Sequence, residues 1–170
     1  MNTNGNMKKL PPVTIHQGKC KMKKWKLQTY PSGVLLAKAK SVVLFNGPHL
    51  SRLIAAMTET MIKEHGIGIA APQMGESLRV ILIKEESGIR PLCNPEITWR
   101  SEAVSESLEG CLSCPGIEVK VMRNEKVTVK FRTVSGRNAE IDYEGLMAYA
   151  AQHEIDHLNG KVIADYAKVI

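Results

Sequence analysis

The chain has 170 residues, a length that favours one domain and at most two. Hydrophobic residues make up 44% of the sequence and charged residues 24%, a composition that is typical of a globular protein and excludes a fibre or a disordered chain. The formal net charge of +6 comes from the N-terminal segment, because residues 1–26 contain seven lysines and no acidic residue.

This Lys-rich segment has no hydrophobic periodicity, so we predict a flexible arm at 1–26 ahead of a catalytic domain at 27–170. Three interpretations of the arm stay open: a solvated leader, an organellar transit peptide, and a segment that contacts the phosphates of an RNA-rich partner such as the ribosome. The absence of Arg and Ser from the segment argues against a transit peptide, and so against an organellar location.

The apolar runs of the chain are too short for a transmembrane helix, and no signal-peptide stretch follows the start. We therefore expect no membrane partner and no secretion. The four cysteines are too few and too scattered for a disulfide framework, so reduced thiols and a cytoplasmic location are expected.

The first predicted element is a helix that follows the turn at 46–48 and is capped by Gly66. Its apolar residues recur at the spacing of one helical face: Leu50, Leu53, Ile54, Met57 and Met61. The predicted strands are 78–84, a segment interrupted at 94–95, two runs within 119–131 that are separated at 123–125, and 139–143. The interruption at 94–95 indicates an edge or bulged strand. A second helix at 145–158 completes an α+β order with segregated elements.

The second helix contains His153 and His157 at positions i and i+4, which places both imidazoles on one helical face. Two nitrogens at this spacing can chelate one divalent ion, and Glu154 is close enough to accept a proton from water at that ion. The alternative is two ordinary helix histidines beside surface acids. It is disfavoured because the flanking residues predict a core helix, where unpaired His and Glu side chains are costly.

A catalytic site of this kind needs a third protein ligand. Downstream of His157 the only carboxylate is Asp165, and residue 163 is Ile, so the patterns of thermolysin-like proteases and metzincins are incomplete. Cys111 and Cys114 are the upstream candidates. A C-x-x-C pair also occurs in structural zinc sites and redox pairs, but one thiolate with two imidazoles leaves a position open for water or substrate.

Three segments, in order, resemble the signature motifs of peptide deformylases: GIGIAAPQ at 66–73, EGCLS at 109–113 and QHEIDH at 152–157. The resemblance covers 27–168 and implies that family's α+β fold, with antiparallel or mixed sheets packed around a central HExxH helix. It implies hydrolysis of the N-formyl group from the N-terminal formyl-methionine of nascent polypeptides, with release of formate, in a bacterial or phage-infected cytoplasm. The chain ends soon after the second helix, like short deformylases without a C-terminal helix that occur in phage genomes.

The resemblance also implies roles for particular residues. Cys111, His153 and His157 are expected to hold the metal, Fe(II) in most members, with Zn, Ni or Co able to replace it. Glu154 is expected to carry the proton, and the Gln73 amide and Leu112 N–H are expected to stabilise the oxyanion. The expected substrate-binding residues are Ile67, Gly68, Ile69, Glu109, Gly110, Leu146, Tyr149 and Ala150.

Two residues near these motifs are expected to support the site rather than to react. Glu109 is expected to pair with Arg123 inside the fold. Asp156 points away from the ligand face of its helix, so we expect it to orient the helix rather than to transfer protons.

Two other functions are alternatives to a deformylase. A metalloprotease-like amidase would share the HExxH motif. However, this chain has no suitable metal ligand downstream of His157, and the amidase alternative does not explain the EGCLS segment. A non-catalytic relic that binds RNA or the ribosome through the arm has no support, since the expected ligands, Glu154 and Gln73 are all present. Nothing in the sequence indicates specific DNA binding.

Overall fold

The computed structural model of the chain describes residues 25–167. Nearly all of the predicted arm at 1–26 lies outside the described residues. The described part contains two α-helices, α1 Pro48–Lys63 and α2 Leu146–Leu158. The strands are β1 Gly68–Ala70, β2 Val80–Glu85, β3 Gly88–Arg100, β4 Val104–Cys111, β5 Cys114–Asn124, β6 Lys126–Arg132 and β7 Asn138–Glu144. Short 3₁₀ turns span Ala71–Met74 and Ile163–Asp165.

The strands form a five-stranded sheet in the order β1-β2-β3-β6-β7 and a separate two-stranded sheet, β4-β5. All the strand pairs are antiparallel, and one isolated parallel bridge joins Lys40 to Leu78. The α+β prediction is confirmed. No helix within 25–167 combines the length and the apolar character needed to cross a membrane.

The five-stranded sheet is covered by a helix on each face, and β2 shows this most directly. Its residues Val80, Ile81, Leu82 and Ile83 are all fully buried. Because side chains alternate along a strand, Ile81 and Ile83 pack with α2, whereas Val80 and Leu82 pack with α1. The apolar run at 80–83 therefore has no polar face.

Helix α1 confirms the predicted apolar stripe, since Leu50, Leu53, Met57 and Met61 are buried. The predicted cap is one residue off. The left-handed residue after α1 is His65, with φ of 56°, and the Gly66 N–H then donates to the Met61 carbonyl at 2.9 Å.

The strand predicted around Asn94 is bulged and lies inside the sheet, between β2 and β6, so the edge alternative is wrong. Asn94 has a φ of 51°, and its side chain bonds both the N–H and the carbonyl of Val42. The two strands expected within 119–131 are β5 and β6, which are separated by Glu125. Strands β1 and β4 were not predicted, although they carry the first two motifs.

Candidate metal centre

Three potential metal ligands converge where the end of β4 meets α2. Cys111 is the last residue of β4, and His153 and His157 lie one turn apart on α2. Their ligand atoms all lie within 4.8 Å of one another, and the Cys111 sulfur is 3.2 Å from Nε2 of His157. The structure therefore selects Cys111 from the two upstream cysteines.

The chemistry of this donor set fits a divalent transition-metal ion. Metal–sulfur and metal–nitrogen bonds are about 2.0–2.3 Å long, so ligands of one ion lie a few ångströms apart, as these atoms do. A thiolate with two imidazoles suits Zn, Fe, Co or Ni better than Mg or Ca. Both histidines are buried, and Nδ1 of His157 is a buried nitrogen without a hydrogen-bond partner among the described residues.

A buried carboxylate orients the first histidine. Oε2 of Glu109 lies 2.9 Å from Nδ1 of His153, which leaves Nε2 as the nitrogen available to an ion. Burial raises the pKa of Glu109, but hydrogen bonds from Arg123 and His153 outweigh that effect and lower it to about 2. Burial lowers the pKa of His153, and hydrogen bonds with Cys111 and Glu109 more than reverse this, to about 10.

Arg123 links this carboxylate to the outer side of α2. Its Nε and Nη2 atoms donate to the two Glu109 oxygens, both at 2.9 Å, and its Nη1 donates to Asp156 at 2.6 Å. The Tyr166 hydroxyl donates to the same Asp156 oxygen at 2.8 Å. The expected Glu109–Arg123 pair is present, and Asp156 is positioned to orient the helix.

Glu154 lies fully inside the site, with its side chain against β1. Its Oε2 is buried without a hydrogen-bond partner among the described residues, and burial raises its pKa to about 7. A Cβ on Gly68 would come within 2.6 Å of Oε1 of Glu154 and 2.8 Å of its Cγ. Gly68 was expected to admit the substrate backbone; the structure shows that it first makes room for Glu154.

Gln73 is held in one orientation by the backbone. The Ala70 N–H donates to its Oε1 at 2.7 Å, so the amide nitrogen must point the other way, toward the Cys111 sulfur 3.6 Å distant. Leu112 follows Cys111 directly in the turn between β4 and β5. Both expected oxyanion donors are therefore beside the ligand group.

A cavity of about 370 Å³ opens onto these groups. The sequence-predicted residues that line it are Ile67, Gly68, Gln73, Glu109, Gly110, Cys111, Leu112, Leu146, Tyr149, Ala150, His153 and Glu154. Ile69 does not line it, because its side chain is fully buried in the core on the α1 side. Leu146, one of the expected substrate-binding residues, lines the cavity with 58% of its surface exposed.

Four further residues line the cavity and were not predicted as site residues: His65, Gly66, Ser107 and Leu108. The signal for β4 was weak, because Glu106 interrupts the face that carries Val104 and Leu108. The sequence also did not predict the 2.5 Å hydrogen bond between Ser105 of β4 and the Tyr149 hydroxyl of α2. This bond joins the two elements that form walls of the cavity.

The polypeptide deformylase family profile matches residues 24–170. The chain belongs to the peptide deformylase family. The peptide deformylase of Natranaerobius thermophilus is 44% identical over 146 residues, which are 85% of this chain and 93% of that one. A crystal structure of a probable peptide deformylase from Synechococcus phage S-SSM7 has a TM-score of 0.79 at 38% identity, and covers 84% of this chain and 99% of that one. The Acinetobacter baumannii class I type b enzyme bound to Met-Ala-Ser has a TM-score of 0.78 at 33% identity, over 83% and 96%.

Membership of the peptide deformylase family identifies the reaction that this chain catalyses. This chain is a hydrolase that removes the N-formyl group from nascent peptides, an activity that belongs to protein biosynthesis. The family is metal-dependent, and Cys111, His153 and His157 form the candidate site for its ion.

Proposed function

We propose that this deformylase acts through Glu154, with a divalent ion held by Cys111, His153 and His157. The observation that carries the proposal is that Cys111, His153, Glu154 and Gln73 line one cavity. The ligand atom of His157 lies within 4.8 Å of those of Cys111 and His153. A bound ion would supply Lewis acidity and make water a better nucleophile near neutral pH.

Glu154 is the proton carrier in this proposal. Its Oε2 accepts a proton from the attacking water and passes it to the amine nitrogen that leaves as the formyl C–N bond breaks. The surroundings of Glu154 support this role, because its buried Oε2 atom has no hydrogen-bond partner among the described residues that would compete for the proton. The amide nitrogen of Gln73 and the backbone N–H of Leu112 donate to the oxyanion that develops on the formyl oxygen.

The methionine side chain occupies the apolar part of the cavity, between Ile67, Leu146, Tyr149 and Ala150. An unbranched, flexible side chain suits such an irregular pocket. The Acinetobacter baumannii relative that binds Met-Ala-Ser supports this substrate class. Ala150→Trp, which fills the pocket, should abolish the preference for formyl-Met over formyl-Ala peptides, and an unchanged preference would place the methionine elsewhere.

The incoming peptide lies extended along β1. That strand pairs only with β2, so its other edge is free to hydrogen-bond a peptide backbone within the described part of the chain. Gly68 and Gly110 border the cavity, and the absence of side chains there keeps the path to Cys111 open. This arrangement explains why a linear N-terminal segment is the substrate.

We further propose Fe(II) as the physiological ion, the bacterial or phage-infected cytoplasm as the compartment, and the ribosome as a partner of the basic arm. The lysines of 1–26 support the last point, because they attract RNA phosphates at low salt. Deletion of residues 1–24 should abolish co-sedimentation with ribosomes at low salt. Unchanged co-sedimentation would remove the arm from this role.

The deciding experiment measures formate release from formyl-Met-Ala-Ser by protein purified anaerobically and loaded with Fe(II) or Ni(II). Glu154→Gln is the test variant, since it keeps the size of the side chain but removes the proton acceptor. The proposal predicts one ion per chain in both proteins and formate release only by the unmodified one. Release by Glu154→Gln at the normal rate would overturn the assigned role.

A further inference from the structure

A second thiol lies directly opposite the proposed ligand Cys111. Cys111 ends β4 and Cys114 begins β5, and the two residues are register partners across the turn Leu112–Ser113. Opposed residues of an antiparallel pair have Cα atoms about 4.5–5.5 Å apart. Disulfides need about 4.4–6.8 Å, so the backbone already holds these cysteines at bridging distance.

Both side chains of the pair lie in one environment. Cys111 packs against the apolar cluster that contains Cys114, and the two residues line the same surface groove. Cys93, by contrast, is buried in the cluster on the α1 side of the sheet. Of the three cysteines in 25–167, only Cys111 and Cys114 are therefore placed to react with each other.

A groove of about 360 Å³ gives small molecules access to the pair. It is lined by Gly110, Cys111, Cys114, Gly116, Ile117 and Glu118. The groove is distinct from the substrate cavity, with which it shares Gly110 and Cys111. Cys111 is partly exposed whereas Cys114 is only 2% exposed, so an oxidant reaches Cys111 first.

We propose that a peroxide converts Cys111 and Cys114 into a reversible disulfide that competes with metal binding at Cys111. The inference rests on the proposed assignment of Cys111 as a ligand. A disulfide sulfur carries no negative charge, so the bridge would leave only the two imidazoles of His153 and His157 for the ion.

The chemistry balances with hydrogen peroxide as the two-electron oxidant. The Cys111 sulfur attacks one peroxide oxygen, the O–O bond breaks, and a sulfenic acid and one water form. The Cys114 sulfur then attacks the sulfenic sulfur, the S–O bond breaks, and the hydroxyl leaves with the Cys114 proton as a second water. Both thiols lose one electron each, and a dithiol reductant reverses the reaction.

Cys114 thereby protects the ligand from permanent damage. A sulfenic acid without a resolving thiol continues to the sulfinic acid, which reducing agents do not reverse. The proposal therefore predicts opposite fates for Cys111 in the chain as it stands and in Cys114→Val, a variant whose apolar side chain suits the surrounding cluster.

The experiment treats Zn(II)-loaded protein with hydrogen peroxide and follows two readouts, the intact mass with peptide mapping and the zinc released to a chromogenic chelator. The expected result is the loss of two hydrogens, a mapped Cys111–Cys114 bridge, release of one zinc, and recovery of zinc binding after dithiothreitol. Cys114→Val should instead gain two oxygens at Cys111 and lose zinc binding permanently. Cys93→Ala serves as the matched control and should behave as the unmodified chain.

The outcomes separate this inference from the proposed function. Oxygen gain without a bridge in the unmodified chain, or a bridge to another cysteine, overturns the disulfide and leaves the metal assignment intact. A Cys111–Cys114 bridge with zinc retained overturns the competition and also removes Cys111 from the ligand set. The bridge is mapped in the unmodified chain, so the test stands even if Cys114→Val fails to fold.

Discussion

The Nδ1 atom of His153 lies 2.9 Å from Oε2 of Glu109, and the same carboxylate receives two hydrogen bonds from Arg123. The glutamate therefore fixes the ring of one proposed ligand while its own charge is balanced by a buried cation. Such partners behind a metal-bound histidine typically change metal affinity by about 10–100-fold when they are removed.

Glu109→Gln should accordingly bind Zn(II) about 10–100-fold more weakly, since a neutral amide holds the imidazole less firmly. Competition with a chelator of known affinity measures this below the unfolding temperature, so that lost stability does not enter the result. Glu106→Gln is the matched control: Glu106 is on the same strand but pairs with Lys120 at the surface. Equal zinc affinity in the two variants would contradict the orienting role of Glu109.

A second prediction concerns the contact between Gly68 and Glu154. Gly68→Ala places a methyl group about where Glu154 now lies, and the surrounding burial gives that carboxyl group little room to move. A displacement of about 1 Å can cost about a hundredfold in rate, so we expect a loss of that order in formate release. Metal content should be unchanged.

Gly33→Ala is the control for this substitution, because nothing lies within 4 Å of the added Cβ. It should release formate at the normal rate. Normal rates in Gly68→Ala as well would show that the reaction does not depend on the position of Glu154.

Gly68 also shows what the sequence could and could not supply. The helical stripe of α1 follows from periodicity and the strand at 78–84 from its apolar run, and the proposed ligand set follows from the resemblance of the motifs. The contact between Gly68 and Glu154 depends on how β1 packs against α2, which no local pattern encodes. Strand β1 has only three residues, so it was too short to recognise by alternation.

Strand β4 was missed for a different physical reason. Its sequence VSESLEGC has few strongly apolar residues, and only Ser107 and Glu109 within it are buried. Polar residues are buried there because they face the cavity or Arg123 rather than an apolar core. Ile69, conversely, was predicted in the site from its place in the motif, whereas the packing of β1 turns it into the core.

A third prediction addresses the outer end of the Arg123 network. Tyr166 donates to Asp156 at 2.8 Å, and the Arg123 guanidinium lies 5.2 Å from the centre of its ring. Tyr166→Phe removes the hydrogen bond but keeps the ring, so it should lower the free energy of unfolding by about 0.5–1.5 kcal/mol. Tyr166→Ala should cost more, because it also removes the cation–π contact.

Urea unfolding of the metal-free protein measures both changes without a contribution from the ion. Tyr30→Phe, at a tyrosine that is 37% exposed, is the control and should leave the midpoint unchanged. If Tyr166→Phe matches this control, the Tyr166 hydroxyl does not stabilise the network.

The last prediction is a loss of stability at alkaline pH that arises from ionisation of the Cys93 thiol. This thiol of β3 is fully buried in the apolar cluster on the α1 side of the sheet, and burial raises its pKa to about 11. In the unfolded chain the thiol ionises near its ordinary pKa of about 8.5. Between these values the folded protein holds a proton that the unfolded chain has lost, so unfolding becomes more favourable as the pH rises.

The contribution of Cys93 to stability is therefore complete below about pH 8.5 and falls as the pH approaches 11. Urea unfolding midpoints between pH 8 and 11 measure it, with Cys93→Ala as the comparison. The variant is less stable at pH 8, because it leaves a small cavity, but its stability should fall less steeply with pH. Burial and a hydrogen bond to Glu85 also raise the pKa of Tyr143. Its effect on stability is the same in the unmodified chain and in Cys93→Ala, so it cancels when the two pH profiles are subtracted. Parallel pH profiles would show that the Cys93 thiol ionises alike in the folded and unfolded chains.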